Sequence, residues 1–167
     1  NGLVELIANK QIQKSVTSLP EERPNTLPLS FTEERLCFLN HFQGQDRHNI
    51  AIYSEIKQNL DIEILEKSIA KIIERHEILR CSFFEKQGKM MRSISDKVSP
   101  PLEIIECPSS SKEDIKTTLE HHAKKIFNLN KAPLFEIKIF NCKNNEQIFY
   151  LNIHHIIACL LYTSPSP

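Results

Sequence analysis

Residues 148–157 read IFYLNIHHII, an apolar run interrupted by Asn152 and by the adjacent pair His154–His155. In a strand, successive side chains point to opposite faces. Ile148, Tyr150, Asn152, His154 and Ile156 then share one face, and Phe149, Leu151, Ile153, His155 and Ile157 share the other. The two imidazoles cannot meet at one metal ion or one proton without a distortion at the strand end, so they have separate jobs. The face of His155 is otherwise apolar, which favours the neutral ring that a base or acceptor needs. Two readings stay open on this chemistry alone: a pair of satisfied core histidines, or one histidine at work beside a structural neighbour.

Working outward, residues 146–157 form a strand that pairs with residues 133–141 through a turn at Lys143, Asn144 and Asn145. Residues 102–106, LEIIE, make a short strand after Pro100-Pro101, and residues 50–57, IAIYSEIK, alternate as another. Residues 81–94 read as a hairpin around Gln87-Gly88. Three helices complete the pattern. Thr32 caps one running to about Phe42, with Leu36 and Leu39 on one face. Asp61 caps a long one to about Arg80, with Leu65, Ile69, Ile72, Ile73 and His76 aligned. Ser111 caps the third to about Asn128, with Ile115, Leu119, Ala123 and Ile126 inward. The order predicts an α+β domain, a largely antiparallel sheet covered by helices.

Before this pattern, residues 1–14 read as the last turns of a helix with nothing of its own to pack on. Residues 15–28 carry Pro20, Pro24 and Pro28 among polar residues, which is linker composition. The chain of 167 residues has 21 Lys plus Arg against 21 Asp plus Glu, so no bulk charge calls for nucleic acid or a membrane surface. No apolar run approaches the ~18 residues of a bilayer span, and no signal peptide is read. Five scattered cysteines without a CxxC pair fit reduced thiols in a cytoplasmic protein better than disulfides or a zinc site. With only three glycines and no P-loop, Rossmann or GxSxG pattern, phosphate-cradling loops and serine-hydrolase chemistry are nearly excluded.

Other candidate residues are weaker. His76 lies in ERHEILRCSF on the apolar face of the long helix, a place where a lone histidine is usually structural. Arg75 and Arg80 flank it, and an arginine buried near a helix end needs a carboxylate partner. His121 and His122 fall mid-helix, point in different directions and read as a solvated face.

Three stretches, in order, resemble the condensation domains of nonribosomal peptide synthetases. LSFTEERLCFL, residues 29–39, is similar to S-x-A-Q-x-R-L-W/Y-x-L at Ser30, Arg35, Leu36 and Leu39, and departs from it at Thr32, Glu33 and Cys37. RHEILRCSF, residues 75–83, is similar to R-H-E-x-L-R-T-x-F and departs only at Cys81. HHIIA, residues 154–158, is similar to the start of H-H-x-x-x-D-G, and IFNLNKAPLF to the F-D-L-x-x-A-P-L stretch. The resemblance runs from about Leu27 to Ala158 and covers the first of the family's two lobes, here residues 28–158.

It implies a chloramphenicol-acetyltransferase-like fold of two lobes around a tunnel. It implies amide formation between two groups held as thioesters on phosphopantetheine arms of an upstream and a downstream carrier domain, the domain itself binding no cofactor and no metal. By the motif, His155 is the catalytic histidine, with His154 a structural neighbour and Arg75 the arginine that pairs with the motif's aspartate. Arg35 and His76 are supporting positions. Residues 1–14 resemble the final helix of a carrier, joined by the linker at residues 15–27.

The motif requires aspartate at 159 and glycine at 160, where this chain has Cys159 and Leu160. The nine residues 159–167, CLLYTSPSP, look like neither strand, helix nor site. They can be encoded as TGT CTC TTA TAC ACA TCT CCG AGC CCA, which resembles a transposase-type sequencing adapter read in frame. The expectation is therefore a native chain to Ala158 and a foreign tail after it, with the aspartate and the second lobe missing and the 167 residues inactive alone. Two alternatives are a free-standing acyltransferase of the same fold and a non-catalytic carrier-recruiting module with a degenerate motif. The histidine pair disfavours heterocyclising relatives, which carry aspartates there, while epimerising relatives share it.

Overall fold

The computed structural model describes residues 26–42, 49–57, 60–107, 111–142 and 146–163. The carrier-like tail, the linker to residue 25 and the turn at 143–145 lie outside them.

Among the described residues, two sheets carry the fold. The smaller joins β1 (Thr26–Pro28), β3 (Cys81–Lys86) and β4 (Lys89–Ile94) in the order β1-β4-β3. The end of the expected linker is thus a strand. Pro28 is tolerated because β1 is an edge, where a missing N–H leaves no ladder bond unmade. The β3–β4 hairpin turns where the sequence places it. Gln87 and Gly88 both have positive φ, 53° and 74°, the left-handed pair that matches the twist of a two-residue hairpin.

The larger sheet has the order β2-β7-β6-β5, with β2 (Asn49–Ile56), β5 (Leu102–Glu106), β6 (Phe135–Asn141) and β7 (Gln147–His154). It is antiparallel except for the β5–β6 pair. A parallel pair needs a crossover, which the helix Lys112–Ala123 provides. One face of this sheet carries Phe135 and Ile137 into a core shared with Cys37, Ile69, Ile73, Phe83, Ile156 and Ile157. The other face packs Phe140, Ile148 and Tyr150 against Leu119. Ile50 and Ile52 of β2 pair with Ile153 and Leu151, and Ile52 is 53 % exposed, so one corner of the first face is uncovered.

Among the described residues, four helices flank the sheets: α1 (Phe31–Phe42), α2 (Ile62–Arg75), α3 (Lys112–Ala123) and α4 (His155–Thr163). The cap of α1 is Ser30, not Thr32. Ser30 Oγ accepts from the Glu33 amide at 3.4 Å, and Glu33 Oε2 accepts from the Ser30 amide at 2.6 Å. This reciprocal S-x-x-E box satisfies two backbone donors at once. Asp61 caps α2 as expected, its Oδ1 3.0 Å from the Ile64 amide. That helix stops at Arg75 rather than Arg80: His76 turns extended (φ −111°, ψ 98°) and a 3-10 turn, Glu77–Arg80, follows. Within the helix Ile72 is 52 % exposed rather than inward, while Ile69 and Ile73 are buried. Likewise α3 ends at Ala123, leaving Ile126 exposed rather than inward. No helix among the described residues is long and apolar enough to cross a membrane.

The largest departure concerns the opening stretch. The strand ends at His154, and His155–Thr163 is helical. Thus His155, Ile156 and Ile157 are not strand residues, and Cys159–Thr163 is not irregular. Ala158, Leu160 and Leu161 are good helix formers, and the strand ends where a side chain is available to start a helix.

Candidate active site

His154 is 1 % exposed. Its amide donates to the Leu134 carbonyl at 2.9 Å, and its Nδ1 accepts from the Ile156 amide at 3.2 Å. Its ring meets Phe127 edge-on at 6.4 Å. His155, one residue later, is half-buried and opens α4. Its Nε2 lies 3.1 Å from Cys159 Sγ, one helical turn on. The two histidines do have separate environments. The separation arises from a strand-to-helix junction and not from alternation along one strand.

The three motif stretches are brought together. α4 packs against α1 and against the 3-10 turn, and Cys37, Leu79, Cys81, Ile156 and Ile157 share one core. The arginine candidates lie outside this core, and the aspartate implied as Arg75's partner is replaced by Cys159 in this chain. Arg75, the last residue of α2, is exposed and has no ion-pair partner among the described residues. Arg35 is exposed on α1. His76 is half-buried at the α2 junction, its backbone taking part in both helical turns. Arg80 instead ties the turn down, donating to Ile73 O at 3.2 Å and Ser95 O at 2.6 Å.

Several polar groups near this site are not announced by the sequence motifs. Glu33 is 1 % exposed, and its Oε1 takes a 2.9 Å bond from Arg92 of β4. The S-x-x-E spacing announces the cap, whereas nothing local announces Arg92. On the α3 face, Lys125 and Lys138 both face Glu136, at 2.6 and 3.6 Å, and Lys138 reaches Glu103 at 2.7 Å. This alternation allows Glu136 and Lys138 to be buried. Asn152 and Asn49 donate to the carbonyls of His122, Ala123 and Lys125, satisfying the open end of α3. Asn152, in an otherwise apolar stretch, is the signal that could have revealed this.

His122 sits in the last turn of α3 and is not wholly solvated. Its ring packs on Phe140 at 5.4 Å and Tyr150 at 6.3 Å. Burial, then the Lys138 ammonium, hold its pKa below the ordinary 6.5. The unfolded chain then binds the extra proton first. The stabilisation is complete above the ordinary histidine range and is lost as pH falls below it. Thermal midpoints measured across that range should drop on acidification, and more steeply for the parent than for His122→Leu; parallel curves would refute this. Burial pushes the Cys37 and Cys81 thiols up to about 11, so neither is a ready nucleophile.

Known proteins are similar to this chain. The family model described as Condensation domain matches residues 24–158. A linear gramicidin synthase of Brevibacillus parabrevis is 33 % identical over 167 residues, covering 95 % of this chain and 3 % of that protein. The dimodular nonribosomal peptide synthase of Bacillus subtilis (strain 168) is 30 % identical over 140 residues, covering 82 % of this chain and 6 % of its own length. The chain thus spans only a few per cent of these relatives. A four-domain nonribosomal peptide synthetase bound to AMP and glycine superposes with a TM-score of 0.70 at 21 % identity, over 86 % of this chain and 11 % of that one. The starter condensation domain of rhizomide synthetase RzmA gives 0.68 at 18 %, over 80 % and 33 %. With the family match spanning most of the chain and its motifs gathered around α4, this protein belongs to the condensation domains of nonribosomal peptide synthetases.

Proposed function

We propose that the parent protein joins two carrier-bound groups through an amide bond, and that His155 is the catalytic residue of this lobe. The α-ammonium of an aminoacyl thioester, with a pKa of about 7.7–8, must lose a proton before it attacks the upstream thioester carbonyl. A half-exposed imidazole at a helix start is placed to accept that proton or to orient the amine. Most of the acceleration comes from holding two tethered reactants together. The tethers are phosphopantetheine arms on an upstream and a downstream carrier domain, a setting that places the reaction in the cytoplasm. The observation that carries this reading is the division between a buried His154 and a half-exposed His155 where three motif stretches meet.

The uncovered Ile50–Ile52 corner supports a second lobe closing over this one. On that reading, the 167 residues form no product by themselves. The other reading, a carrier-recruiting module without catalysis, is favoured by Cys159 where the motif has aspartate. We take residues 159–167 as foreign to the gene, and amplification across the source locus decides it. Aspartate and glycine codons after Ala158 are expected, and cysteine and leucine codons would favour the recruiting module. The reaction is tested by giving the parent protein two loaded carriers and following the amide product.

A further inference from the structure

We propose that His154 is a positioning residue that acts as the N-cap of α4 and thereby fixes where His155 stands. The proposal deepens the assignment of His155 above and rests on it for its catalytic consequence alone.

A helix leaves its first amides without intrahelical partners, and a side-chain acceptor on the N-cap residue satisfies the second or third helical amide. With His155 as first helical residue, Ile156 is the second, and its amide is the one that meets His154 Nδ1 at 3.2 Å. Water cannot easily take this role, because Ile156 and Ile157 are fully buried and Ala158 nearly so. An amide buried there without a partner would be costly. The cap itself is held from three directions. β7 ends on it, its backbone amide is tied to Leu134 O at 2.9 Å, and Phe127 stands edge-on to its ring. Lys125 Nζ lies 5.3 Å from the centre of that Phe127 ring, adding a second contact to it. An Nδ1 that accepts carries no proton, so the bond also selects the tautomer with its proton on Nε2. The two histidines are then coupled through one peptide unit. His154 sets the direction of the first turn, made by residues 155–158 ahead of the tail taken as foreign, and His155 inherits it.

Histidine is not a usual N-cap, whereas asparagine is among the strongest. This gives a test that separates capping from simple core filling. In the ¹⁵N-labelled chain, a scalar coupling across the hydrogen bond should join His154 Nδ1 to the Ile156 amide, and that amide should exchange slowly. His154→Leu fills the space without an acceptor and should speed Ile156 exchange while the β6–β7 amides stay protected. His154→Asn should restore the protection. In the parent synthetase, His154→Leu should slow amide formation on the order of 100-fold, as a displacement of about 1 Å does, with His154→Asn recovering most of the rate.

Absence of the coupling, or an asparagine variant no better than leucine in both protection and rate, overturns the proposal. If His154→Leu fails to fold, the coupling in the unaltered chain and the asparagine variant still decide. If the coupling and the asparagine rescue of Ile156 protection hold while His155→Ala remains fully active, the cap stands and the catalytic assignment falls.

Discussion

His155→Ala in the parent synthetase should lower the rate of amide formation by about 100- to 10,000-fold, the range for removing a general acid–base group. Loading of the two carriers and their affinity for the domain should be nearly unchanged, because the ring opens a helix at the surface of this lobe and anchors no core cluster. Single-turnover mixing with both carriers preloaded isolates the step. If His155 mainly orients the amine, the loss should be at the low end and should persist at high pH, where the amine is already neutral. If it removes the proton, raising the pH should recover part of the rate. A variant with wild-type turnover would remove His155 from the chemistry.

Arg92→Leu should be the most damaging of the substitutions outside the site. Arg92 is 24 % exposed, and its partner Glu33 is 1 % exposed. Removing one member of a buried pair leaves an uncompensated charge and costs about 3–5 kcal/mol. Glu33 occupies the place where the family pattern has glutamine. Glutamine also closes a capping box, so Arg92 is tied to the charge rather than to the cap. Glu33→Gln combined with Arg92→Leu should therefore be markedly more stable than Arg92→Leu alone. Chemical denaturation of both single variants and the double gives the coupling directly. Equal losses for the Arg92 single and the double variant would contradict the pairing.

These two residues mark how far the sequence can be read. Hydrophobic periodicity locates the described strands other than β1 and the described helices other than α4, and the Gln87-Gly88 turn and the Asp61 cap stand where local chemistry puts them. The elements whose ends differ from the periodic pattern are decided by tertiary contacts. The pattern carries α2 through His76 because no glycine or proline interrupts it, yet the chain turns there so that Leu79 and Cys81 can enter the core. The pattern carries β7 on to Ile157 because the apolar run resumes after the two histidines. The strand ends at His154 because an imidazole can cap a helix as well as fill a core, a role absent from ordinary cap preferences. Arg92 cannot be matched to Glu33 from sequence because they are 59 residues apart and meet only when β4 lies beside α1. The separate environments of His154 and His155 are legible, although the geometry behind them is not.

The most direct measurement is intact-protein mass spectrometry of the downstream carrier after the parent synthetase meets two loaded carriers. The upstream acyl group should move to the downstream aminoacyl arm, and should do so only with His155 in place. Acyl transfer from a coenzyme A thioester to a free amine, with neither carrier needed, would contradict it.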